Sequence, residues 1–116
     1  MQAKILMAIL LLCCVGCKSK TIQLEKFDKL KWATMQNGEY LYRNKMITDL
    51  LENYTLKGVK QDSILNMLGE PNRRDSLYLF YIVDQKLFAN FFPLYTKSLV
   101  IKLAGDSTVE WRKIHE

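Results

Sequence analysis

Cysteine is absent after residue 17, histidine occurs once, at position 115, and proline twice, at 71 and 93. Without cysteines in its body, the chain has no disulfide framework and no thiolate metal site. The lone His115 lies one residue from the C-terminal end, where a chain positions groups poorly. No serine stands near it in a recognised nucleophile motif. Asp62, Glu70, Asp75 and Asp84 lack the spacing of an EF-hand loop. With no assembled nucleophile, base and metal set, we expect no enzyme, no metal and no cofactor. No basic helix or RNA-binding aromatic motif accompanies the formal net charge of +5, so nucleic acid is not an expected partner. The apolar run near the start also falls short of the roughly 20 residues a membrane-spanning helix needs.

That run is nevertheless the most organised segment. Lys4 supplies a positive start, residues 5–15 are apolar, and Lys18-Ser19-Lys20 ends the stretch. Charge, length and a small residue before a cleavage point are the marks of an export signal. Val15-Gly16-Cys17 resembles the lipobox of bacterial lipoproteins, with Cys14 where leucine is commonest. The resemblance implies cleavage after Gly16 and a diacylglyceryl group on the Cys17 thiol, often with an acylated amine. Each buried CH₂ contributes about 0.8 kcal/mol, so two or more chains give stable anchoring to membrane lipid. The Lys18-Ser19 start lacks an acidic retention residue directly after Cys17, which points to the outer membrane and the periplasm.

Removal of residues 1–16 leaves one small domain's worth of chain. Lys18, Lys20, Lys26, Lys29 and Lys31 follow the anchor, interrupted by Glu25 and Asp28. We read residues 17–38 as a lipidated N-terminus and basic tether, and 39–116 as a single domain. The tether is either a solvated spacer or a weak contact with anionic headgroups. From Cys17 to Phe27 it reaches at most about 35 Å.

Met46, Ile47, Leu50, Leu51 and Tyr54 share one helical stripe, with Arg43, Lys45, Asp49, Glu52 and Asn53 opposite. A second helix fits residues 61–68, with Ile64, Leu65 and Leu68 buried. Gly69 and Pro71 stop it, and Lys60 stands where a capping Ser or Thr would. Gly58 turns between the helices, and Asn37-Gly38 marks an earlier turn. Phe27 and Trp32 are expected on the domain's rim. Residues 77–83 are aromatic and β-branched and read as a strand covered on both faces or lying in the sheet centre. Residues 98–103 and 108–114 alternate around a Gly105-Asp106-Ser107 turn, with Val109 and Trp111 expected on one face. The order predicts an α+β fold (ααβββ): two layers, a helical hairpin on a three-stranded antiparallel sheet.

Residues 84–97 are unusually apolar for a connection. Phe88, Phe91 and Phe92 are partner-binding candidates, since exposed apolar patches mark interaction sites. Equally, they fold back as an extra strand or core lid. Arg73 and Arg74 are read as a turn that is either solvated or holds an anion by paired hydrogen bonds.

The element order, Leu56-Lys57-Gly58-Val59 before a short helix, Leu68-Gly69-Glu70-Pro71 before the first strand, and the final hairpin over 99–109 resemble the BamE (SmpA/OmlA) family of small lipoproteins. The resemblance spans roughly residues 43–116. It implies two helices on a three-stranded sheet and a lipid-anchored, non-catalytic scaffold that binds a protein partner in envelope assembly. An inhibitor or immunity-type binding module of the same fold is the alternative.

Overall fold

The computed structural model describes residues 23–89 and 91–116; the expected export signal and Cys17 lie outside the described residues. The elements are α1 (Lys29–Ala33), β1 (Met35–Gln36), β2 (Glu39–Tyr40), α2 (Arg43–Asn53), α3 (Gln61–Leu68), β3 (Arg73–Asp75), β4 (Tyr78–Phe88), β5 (Phe92–Leu103) and β6 (Val109–His115). β3, β4, β5 and β6 form, in that order, an open antiparallel sheet, and β1 pairs with β2 in a separate small hairpin. Among the described residues no helix is long and apolar enough to cross a membrane.

The architecture is α+β, with four strands rather than three in the main sheet. The added strand is β3: Arg73 and Arg74 pair with Phe80 and Leu79 instead of sitting in a turn. The apolar connection over 84–97 is also a correction, because it extends β4 and β5 into one long hairpin. Alternation explains why. Leu79, Tyr81 and Val83 face the core, whereas Tyr78, Phe80 and Ile82 lie half-buried on the other face. The strand therefore lies in the interior of the sheet, between β3 and β5, and is covered by helices on one face only.

Two helices expected as a hairpin are joined through a third. α1 is a single short turn whose amides at Leu30 and Lys31 donate to the Asp28 side chain, an N-cap. It delivers Trp32, which is completely buried. The Trp32 indole Nε1 donates to Leu68 O at the end of α3, 3.1 Å away. Trp32 O accepts from Arg43 Nε at the start of α2, 2.7 Å away. Phe27 packs on Trp32 and Tyr54 with ring centroids 5.8 and 5.6 Å away. Trp32 is thus core, not rim, and the folded body begins well before residue 39: Glu25 N already donates to Lys45 O at 2.9 Å. Around Trp32 gather Met46, Ile47, Leu50, Leu56, Ile64, Leu68, Leu79, Tyr81, Val83, Leu99, Ile101, Leu103 and Val109.

Local chemistry sets the joints. Asn37 and Gly38, both at positive φ, make the tight turn between β1 and β2. Gly69 at φ 79° ends α3, and its N–H donates to Leu65 O. Lys60 provides no side-chain cap; Gln61 N donates instead to Ser107 O at 2.8 Å. Val109 and Trp111 do not share a face. Leu103 faces Val109 and Lys102 faces Trp111, so Glu110 is an extra residue, and this bulge turns Trp111 away from the core.

Arg43 is 4% exposed. Its Nη1 donates to Ile82 O at 2.8 Å and to Asn72 Oδ1 at 3.2 Å, and its guanidinium lies 3.5 Å from the Tyr40 ring centroid and 4.6 Å from that of Trp32. Burial draws it down to about 10, so it remains charged at neutral pH. Nearby, Tyr81 donates to Gly69 O at 2.8 Å, and burial, then the Glu70 charge, pushes its hydroxyl up to about 12. Arg43→Ala strands the Trp32 and Ile82 carbonyls, so it should cost about 2–4 kcal/mol in urea unfolding. A loss below about 0.5 kcal/mol, the scale of an ordinary surface change, contradicts this role.

Candidate functional site

Among the described residues, two surfaces of the main sheet lie outside the core. The first is the outer face of the sheet. Facing residues of paired strands share a face, so the register lines up three rows. One holds Asp75, Tyr78, Lys102 and Trp111; the next Arg73, Phe80, Val100 and Lys113; the third Ile82, Ser98 and His115. Tyr78 stacks beside Phe80 at 6.4 Å and meets Trp111 edge-on at 6.0 Å. Cations overlie the rings: Arg73 sits 3.8 Å from the Phe80 centroid and Lys113 5.4 Å from that of Trp111. Such contacts are worth about 0.5–1 kcal/mol when exposed. Lys102 bonds Glu110, and that hydrogen bond raises the pKa of the ammonium. Tyr78, Phe80, Val100, Trp111, Lys113 and His115 line a shallow hollow of about 300 Å³. The surface is flat, aromatic and edged with cations.

The second surface is the tip of the β4–β5 hairpin. Val83 is the last core residue of β4. It is also an extra residue, because Ile82 faces Ser98 and Asp84 faces Lys97. The bulge bends the strand, and β4 continues to Phe88, roughly 17 Å further at about 3.3 Å per residue. A second bulge leaves Leu94 unpaired between Pro93 and Tyr95, and a bulge is where proline is tolerated in a strand. At the tip Phe88, Phe91, Phe92 and Leu94 are 64, 76, 58 and 66% exposed. Leu87 instead lies half-buried beside Gly38 of the small hairpin, so only the tip is bare.

The residues singled out from sequence therefore separate. Phe88, Phe91 and Phe92 come together at the tip, where Phe88 and Phe92 lengthen β4 and β5 rather than adding a separate strand or a core lid. Arg73 and Arg74 do not act as a pair: neighbours on a strand point to opposite faces, and Arg73 joins Phe80 on the outer face whereas Arg74 is opposite the buried Leu79. They cannot clamp one anion between them. His115 ends the third row as an exposed strand residue. Cys17 lies outside the described residues. The outer face itself was missed, because residues 78–83 are apolar at every position and period two is invisible in such a run. Its trace in the sequence is the pair of aromatics at 78 and 80, two residues apart.

Comparison with models of known protein families, with curated proteins and with solved structures finds no match.

Since the tip buries little, Phe91→Ser and Phe92→Ser should each change unfolding free energy by less than about 0.5 kcal/mol. A loss above about 2 kcal/mol in thermal or urea unfolding restores the core-lid reading.

Proposed function

We propose that this protein is a lipid-anchored lipoprotein of the bacterial envelope, attached through acylated Cys17 to the outer membrane and facing the periplasm. It serves there as a non-catalytic binding or scaffold component of outer-membrane protein assembly, in the manner of the BamE family that its sequence resembles. The lipobox-like Val15-Gly16-Cys17 supports the anchor. The α+β layering of short helices on an antiparallel sheet agrees in outline with the two-layer fold the resemblance implies.

One observation carries the binding reading. The helices and the main core cluster lie on one side of the sheet, and the other side presents Arg73, Tyr78, Phe80, Trp111 and Lys113 around the buried Val100. Aromatic residues and arginine are the side chains that dominate protein interfaces. The aromatic rings have few rotatable bonds and cost little entropy to immobilise, and the strands hold them in a fixed plane. The partner is a protein of the cell envelope. The same flat face also suits the alternative, an inhibitor or immunity-type module laid against an enzyme.

The test places a photoreactive phenylalanine analogue at position 80 or 111, with position 62 on α3 as control, in cells fed labelled fatty acid. The expected result is label on wild type and none on Cys17→Ala, with one envelope assembly protein crosslinked from 80 and 111 but not from 62. Capture of a soluble enzyme favours the alternative. Wild type without fatty acid removes the anchor, and silence at both 80 and 111 removes the sheet face.

A further inference from the structure

We infer that the tip of the β4–β5 hairpin is a second membrane contact: Phe88, Phe91, Phe92 and Leu94 enter the headgroup–acyl boundary of the bilayer to which Cys17 tethers the chain. The inference rests on the anchored reading above for its geometry, and on the tip itself for its chemistry.

The tip's composition selects the occupant. No charged residue stands between Lys86 and Lys97. A protein interface ordinarily carries about one hydrogen bond per 100–200 Å² and a polar rim. This tip presents phenylalanine and leucine, which are apolar and make no directional bonds. Acyl chains ask for nothing else. Behind the apolar cap, Lys86 faces Tyr95 across the hairpin. Tyrosine belongs at the membrane–water interface, and a lysine there keeps its ammonium in water while its stem covers apolar surface.

The backbone limits the depth. β3 pairs only with residues 78–80 of β4, so the outer part of the hairpin has unpaired edges. Open edges cannot enter hydrocarbon, where unpaired N–H and C=O groups find no partner. Side-chain insertion of about 5–10 Å, as for interfacial amphipathic elements, is the geometry that remains.

The reach is also right. Glu25 is bonded to Lys45, and the adjacent Asn44 accepts from Lys97 Nζ at 2.9 Å, at the base of the hairpin. The tether therefore leaves the folded body close to that base. From Cys17 to Glu25 the chain spans up to about 28 Å when extended. The hairpin projects roughly 17 Å past the core. The anchor and the tip can reach one plane, which fixes the orientation of the domain on the bilayer.

Phe91→Trp in the protein purified from envelopes and reconstituted into phosphatidylethanolamine–phosphatidylglycerol vesicles reports the contact, with Phe92→Trp as a second probe and unfolding curves as the check on folding. Emission from the new indole should shift to the blue and fall about twofold with lipids brominated high on the acyl chain, the depth of interfacial insertion. Asp62→Trp on α3 should show neither effect. Water-like, unquenched emission from both tip positions overturns the inference, as does an indole shielded from aqueous iodide but not quenched by brominated lipid, which marks protein cover. Fatty acid on Cys17 with no tip quenching sinks the inference and leaves the anchor standing. Tip quenching by added vesicles with no fatty acid on Cys17 supports the inference and removes the anchor.

Discussion

A guanidinium buried without a carboxylate is the constraint around which this structure is arranged. Arg43 stays charged, and removing a charge from water is costly unless its donors are satisfied. Its hydrogen-bond partners are neutral oxygens: Trp32 O, Ile82 O and Asn72 Oδ1. The faces of Tyr40 and Trp32 complete the shell with the negative side of their quadrupoles. These groups come from α1, β2, the turn after α3, and β4. One side chain at the start of α2 therefore binds segments that no short-range contact would bring together. Asn72 strengthens the joint: its Oδ1 also accepts from Ile82 N, and its Nδ2 donates to the Tyr40 hydroxyl at 2.6 Å.

The position of that joint decides what the surface can do. Ile82 is held by both Arg43 and Asn72 immediately before the Val83 bulge. The hairpin thus leaves the body from a clamped base. Phe88, Phe91 and Phe92 are exposed because the chain is carried outward there. On the same strand, Tyr78 and Phe80 are only half-buried, for a different reason. The helices occupy one side of the sheet, so alternate residues must face outwards.

Helical parts of this arrangement were legible in the sequence, because helix chemistry is local. The stripe from Met46 to Leu50 is read by period, and the end of α3 by Gly69 and Pro71. The Asn37-Gly38 turn is read by its requirement for positive φ. Trp32 reads as a rim residue from sequence because a five-residue helix is too short to show a period. Arg43 was assigned to the solvent face because charge usually is; its acceptors lie 11, 29 and 39 residues away. The three bulges were invisible for a related reason. Each is set by pairing with a partner strand, and one extra residue reverses the facing of all that follows, as at Trp111. The tip phenylalanines were identified as candidates by composition alone, but their exposure follows from the clamped base at Ile82.

If Arg43, Trp32 and Ile82 form one joint, they must open together. Native-state hydrogen exchange of the Trp32 indole N–H and the Ile82 amide measures this directly, against the amides of Leu79 and Ile101 in the sheet core. The account predicts that all four exchange with the same free energy, that of global unfolding. Rapid exchange at Trp32 and Ile82 while the core amides stay protected would contradict it.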